Sequence, residues 1–116
     1  DELYANTTVY FRQAIEEVIE NSIVHNSQPT PSVELHLEAE DGVALVRVVD
    51  DGPGIPQMDT DVLETGRTVD DLYHGSGLGL WLVYWIVHRP GGSVTVSDEK
   101  STGTVVEIRL SRTDPT

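Results

Sequence analysis

Three short runs of this chain hold residue types suited to chemistry. In the first, Glu17, Asn21 and His25 stand four residues apart. On a helix that spacing places them on one stripe. The stripe borders the apolar side of its segment, where an amide is costly unless it is used. An asparagine oxygen there can ligate a hard cation such as Mg²⁺, and a carboxylate one turn earlier can orient or deprotonate a nucleophile. A solvated polar stripe has the same spacing. The second run is Val48-Val49-Asp50-Asp51-Gly52-Pro53-Gly54-Ile55-Pro56. A carboxylate at the end of a strand can accept a hydrogen bond from an exocyclic amine, and the glycines beyond it let a flat ring approach the backbone. A plain acidic turn is the alternative. The third run, Gly75-Ser76-Gly77-Leu78-Gly79-Leu80, opens an apolar segment. Glycine-rich backbone at a helix N-terminus offers N–H groups to phosphate, although a purely structural turn also uses glycine. A dinucleotide fingerprint is disfavoured, because Leu80 stands at the third glycine position and no βαβ unit surrounds it. No GxxxxGK[ST] phosphate loop occurs.

The surrounding pattern supplies elements to position these runs. From about Thr8 to His25 the periodicity is helical, with Phe11, Ile15, Val18, Ile19, Ser22 and Ile23 on one broad face and Gln13, Glu16 and Glu20 opposite. Thr7 or Thr8 can cap this helix, or Asp1 if it begins earlier. Pro29 and Pro31, within Ser27–Ser32, end it. Two strands follow, Val33–Ala39 and Val43–Val49, joined by the hairpin signal Asp41-Gly42. Beyond the loop Asp50–Pro56, a short helix is expected around Asp59–Glu64 and irregular chain over Thr65–Ser76. A second helix, Gly77–His88, is apolar nearly all round and should be sandwiched in the core or against a partner. Pro90-Gly91-Gly92 stops it, and a final hairpin runs Ser93–Ser97 and Thr104–Leu110. The expected fold is α+β: a two-layer α/β sandwich, with a mixed, mainly antiparallel sheet covered on one face by helices.

Composition narrows the functions available. The 116 residues fit one domain with one modest core. With 38% hydrophobic residues the chain should fold, and no apolar run reaches the ~20 residues of a membrane helix. There is no cysteine, and His25, His36, His74 and His88 make no short zinc spacing. The formal charge is −13, from 20 acids against 7 bases, and Lys100 is the one lysine. Such a surface repels nucleic acid. It should also self-repel at low salt and be relieved in molar salt, so a salt-adapted source is expected.

Taken in order, the runs resemble the Bergerat-type (GHKL) ATPase superfamily over nearly the whole chain. Glu17–Ser22 is similar to its N box, Asp50–Ile55 to its first glycine box, Gly75–Leu80 to its second, and Thr102-Gly103-Thr104 to its terminal Gly-Thr element. Within the superfamily, Gly-Leu-Gly-Leu leading straight into an apolar helix looks most like sensor histidine kinases, here of a haloarchaeal-like, acid-rich kind. Gyrase-like members add a long second domain, for which this chain has no room. The resemblance implies ATP and Mg²⁺ as cofactors. It makes Asn21 the Mg²⁺ ligand, and Glu17 the general base or the residue that orients the accepting imidazole. Asp50 would read the adenine amine, with Gly52 in its loop and Gly54 and Thr104 helping through water. Gly75, Gly77, Leu78 and Gly79 would serve the phosphates, and residues from about Gln57 to His74 would form the ATP lid.

Some positions depart from the family pattern. Val24 stands where a basic residue is common, followed by His25 at the usual Tyr or His position. Arg67 either supplies the missing phosphate contact or is a solvated loop arginine. The lid lacks its usual phenylalanines, since Phe11 is the chain's one Phe. No histidine has a phosphoacceptor context, so residues 1–116 are expected to be the catalytic domain of a larger protein, lying in the cytoplasm whether or not that parent is membrane-anchored. The phosphate acceptor would be a separate dimerisation domain of that parent, with a response regulator downstream. An anti-sigma-type serine kinase and a degenerate nucleotide-binding interaction module are the rival readings.

Overall fold

A computed structural model describes residues 4, 5, 7–24, 26, 30–52, 54, 55, 57–66, 76–99 and 103–113. Its elements are α1 (Phe11–Val24), β1 (Val33–Glu40), β2 (Val43–Asp50), α2 (Gln57–Thr65), α3 (Ser76–His88), β3 (Ser93–Glu99) and β4 (Gly103–Ser111). The strands form one sheet in the order β1-β2-β4-β3. All three strand pairs are antiparallel, and the helices lie on one face.

Local chemistry explains most boundaries. The Thr8 hydroxyl accepts the Tyr10 N–H at 3.1 Å, which satisfies a donor at the open end of α1. Asp41 and Gly42 alone separate β1 from β2, with Glu40 paired to Val43. α2 begins at Gln57, whose side-chain N–H reaches an Asp61 carboxylate oxygen one turn on at 2.9 Å. The helix expected over Asp59–Glu64 is accordingly longer, and Thr65 and Ser76, read as irregular, are helical.

Alternation along the strands builds the core. Ala44, Val46 and Val48 of β2, Val106, Ile108 and Leu110 of β4, and Val94 of β3 face the helices and are buried. Ala14 and Val18 of α1, Val62 and Leu63 of α2, and Leu80, Val83 and Val87 of α3 close over them. Burying each large side chain of this kind contributes about 1.5–3 kcal/mol. α3 is wedged between α1 and α2, as its all-round apolar surface requires, yet Trp85 and Leu82 remain 45% and 36% exposed. Some apolar residues stand outside this core. Ile23 lies off the buried face of α1 and is 48% exposed. Leu35 and Leu37 of β1 pair with core residues Val48 and Val46, but the helical layer does not reach them.

The free edge of β3 is capped from the side. A Glu64 carboxylate oxygen on α2 accepts the Val96 N–H at 2.8 Å. This satisfies an edge donor that would otherwise invite a foreign strand.

Candidate functional site

Asp50 is the last residue of β2 and is 5% exposed. In the sheet it lies between Val33 of β1 and Thr104 of β4, and Thr104 is itself 1% exposed. The Asp50 carboxylate accepts the Gly52 N–H at 2.8 Å, which bends the chain out of the strand. Gly103 permits this arrangement. Its φ is 85°, and a Cβ there would run into the Asp50 backbone carbonyl. Only glycine accepts both that conformation and that approach.

The second half of the site lies at the end of α1. Asn21 is 8% exposed, and its amide makes no hydrogen bond among the described residues. The neighbouring Ser22 hydroxyl, by contrast, returns to the Val18 carbonyl at 3.1 Å. The half-buried Glu17 stands one turn earlier, and its carboxylate fills the space a Cβ would take at Gly79 of α3. Gly79 therefore lets the two helices meet at that carboxylate.

The halves are linked through Asp51. One of its carboxylate oxygens accepts the Asn26 side-chain N–H at 2.6 Å and the Ser32 backbone N–H at 3.2 Å. Its own N–H reaches the Ser32 carbonyl at 3.3 Å. The Asn26 amide, then the Ser32 N–H, hold the Asp51 carboxyl below the usual range, so it is ionised at neutral pH.

Of the residues expected from sequence, Glu17 and Asn21 lie on α1, Asp50 and Thr104 pair where β2 meets β4, Gly52 bonds to Asp50 in the turn beyond, and Gly54 follows with φ 108°. Gly77, Leu78 and Gly79 fall in the first turn of α3. His25, Arg67 and Gly75 lie outside the described residues. Among the described residues no cluster of three or more His, Cys, Asp or Glu could hold a metal on its own. The Asn21 amide oxygen fits a cation that draws its remaining ligands from phosphate and water, as Mg²⁺ commonly does. Asn26, Ser32 and Asp51 carried no site expectation. Asn26 and Asp51 are 25 positions apart, and nothing local marks them.

The arrangement is a two-layer sandwich with a buried acid where β2 ends and a buried amide on α1. Residues 6–114 match the family described as histidine kinase-, DNA gyrase B-, and HSP90-like ATPase, and the chain belongs to that family, as an ATP-binding domain of the histidine kinase type. It is 34% identical over 109 residues to the autoinducer 2 sensor kinase/phosphatase LuxQ of Vibrio cholerae, covering 88% of this chain and 13% of LuxQ. It is 28% identical over 112 residues to the sensor histidine kinase GtrS of Pseudomonas aeruginosa, covering 96% of this chain and 23% of GtrS. The chain thus spans less than a quarter of either relative. Among solved structures, the mycobacterial sensor histidine kinase MprB superposes with a TM-score of 0.67 at 28% identity, over 89% of this chain and 70% of that one. The catalytic domain of the histidine kinase ThkA shares the fold, with a TM-score of 0.67 at 19% identity over 87% of this chain and 65% of that one. No helix among the described residues is long and apolar enough to cross a membrane.

Proposed function

We propose that this domain binds Mg-ATP and delivers its γ-phosphoryl group to a histidine on a separate dimerisation domain of a two-component sensor kinase. The observation that supports the reading is the burial of Asp50 at the end of β2 and of Asn21 on α1, with the chain beyond each held together by the Asn26–Asp51 contact. Asp50 accepts the adenine exocyclic amine, with Gly52, Gly54 and Thr104 shaping that end. Asn21 ligates Mg²⁺, which when bound neutralises phosphate charge. His25, Arg67, Gly75, Gly77, Leu78 and Gly79 serve the phosphates. In the transfer a P–N bond forms to the imidazole, the bond from the γ-phosphorus to the bridging oxygen breaks, and ADP leaves. Glu17 takes the imidazole proton or orients the ring. Transfer of this kind rests mainly on positioning and charge neutralisation, so the domain alone should be weakly active.

The parent would be the larger protein of which residues 1–116 are the catalytic part, with this domain in the cytoplasm and a response regulator receiving the phosphoryl group in a phosphorelay. The Trp85 and Leu82 strip on α3 is an apolar surface for the phosphoacceptor domain. The charge of −13 fits a high-salt setting.

Calorimetry with Mg-ATP tests the site. Wild type should bind, Asp50→Asn should lose adenine recognition, and Asn21→Ala should lose the Mg²⁺-dependent part of the affinity. Undiminished binding by both variants would overturn the assignments. Phosphotransfer to a supplied phosphoacceptor domain tests the reaction, and Glu17→Gln should abolish it while ATP still binds.

A further inference from the structure

Asp50 and Asp51 are adjacent acids with opposite surroundings. Asp50 is buried at the strand end, whereas Asp51 is exposed. β2 ends at Asp50, and Asp51 is the first residue beyond it. An exposed carboxylate is well solvated by default, yet Asp51 gives one oxygen to two protein donors, Asn26 Nδ2 at 2.6 Å and the Ser32 N–H at 3.2 Å. Those donors bracket the connection from α1 to β1. Asn26 lies two residues beyond the end of α1, and Ser32 lies one residue before β1. A single side chain therefore holds both ends of that connection against the loop after β2.

Gly52 shows how closely the parts meet. A Cβ at Gly52 would lie 2.9 Å from the Asp50 carboxylate and 3.5 Å from Asn26 Nδ2. A side chain there would sit between the adenine-end acid and the segment leaving the Asn21 helix. The hydrogen bond from Gly52 to Asp50 and the one from Asn26 to Asp51 thus close around the same point from two sides.

We propose that Asp51 is a positioning residue that fixes the separation between the Asp50 end and the Asn21 end of the nucleotide site, by clamping the chain after α1 to the loop after β2. The inference rests on the nucleotide reading above. It makes a demand that reading alone does not. A ligand spanning both ends should depend on Asp51 more than a ligand that occupies one end. ATP spans both, whereas adenosine engages the Asp50 end.

The test measures adenosine and Mg-ATP affinities for wild type, Asp51→Ala, Asp51→Asn, Asn26→Ala and the Asp51→Ala/Asn26→Ala pair, with melting temperatures alongside. Asp51→Ala should weaken Mg-ATP about tenfold, the scale of one charge-assisted hydrogen bond, and adenosine by no more than about twofold. Asp51→Asn keeps an acceptor oxygen in place and should restore most of the ATP affinity. Asn26→Ala should reproduce part of the selective loss, since the Ser32 N–H still reaches Asp51, and the pair should lose no more than Asp51→Ala alone. Equal losses for adenosine and ATP would overturn the proposal, since Asp51 would then act locally on Asp50. A lowered melting temperature with an unchanged ratio of affinities would overturn it too, leaving a purely structural contact. If Asp51→Ala does not fold, Asp51→Asn and Asn26→Ala still decide the outcome through that ratio. Wild type that binds neither ligand would remove the nucleotide reading and this inference together.

Discussion

The two faces of the sheet are held by different forces. On the helix side, Val46, Val48, Val106 and Ile108 are buried beneath three helices. On the open side, Arg47 reaches Glu107 at 2.8 Å and also pairs with Glu38, while Arg109 stands 3.4 Å from Glu107 and 4.0 Å from Glu40. Leu45 lies between Glu38 and Arg109 in register and is fully buried, as expected where long charged side chains lay their alkyl stems over an apolar residue. The helix side owes its shape to contact at van der Waals distance, which salt does not screen. The open side owes part of its order to charge pairs that salt does screen. Because the nucleotide site grows from the rim of the helix side, its geometry should follow packing and close backbone approach, and should be largely indifferent to the charges behind it.

That contrast can be broken most forcefully in the core. Ile108 is fully buried in the central strand β4. Ile108→Ala should cost about 2–5 kcal/mol in denaturant unfolding, because the close-packed surroundings cannot collapse into the gap. A loss below about 1 kcal/mol would mean that the helix side is packed more loosely than described. Gly103→Ala comes next. It forces a side chain into a positive-φ position and against the Asp50 carbonyl, so it should cost more than about 1 kcal/mol and remove nucleotide binding with it. Gly79→Ala sharpens the comparison from the other direction. The methyl group would displace the Glu17 carboxylate, while alanine improves the helix by about 1 kcal/mol. Stability should therefore change little in calorimetric melting while phosphotransfer falls steeply. A variant that keeps full transfer would remove Glu17 from the reaction.

How far each part could be read from the sequence depends on the range of the force that sets it. The hairpin at Asp41-Gly42 and the bond from the Tyr10 N–H to the Thr8 hydroxyl ahead of α1 follow from neighbours a few residues apart, and both are found. Apolar alternation tells which face of β1 points inward, but not whether a helix lies over it. Leu35 and Leu37 were therefore legible as strand residues and illegible as exposed ones. The same limit explains Ile23, where a broad apolar stripe on α1 overreached the surface that α3 and the sheet can cover. Asp50 and Asn21 are site candidates by type and spacing, and the structure buries both. The Asp51 clamp is not legible that way, because its meaning arises only when the end of α1 folds back on the end of β2.

The smallest effect belongs to the open face. Glu107 is held ionised below its usual range, mainly by the hydrogen bond from Arg47, with Arg109 adding to it. A depressed carboxyl pKa contributes stability that is present above the ordinary glutamate value of about 4.3 and is lost as pH falls through the lower folded value. Thermal melts should therefore lose stability in that acid window, and Glu107→Gln should flatten the decline. The same substitution should leave Mg-ATP affinity unchanged near neutrality and blunt the response of the melting temperature to salt, since the lost pairs are the screened ones. If Glu107→Gln instead changed ATP affinity as strongly as Gly103→Ala, the two faces would be coupled, and the site could no longer be attributed to the helix side alone.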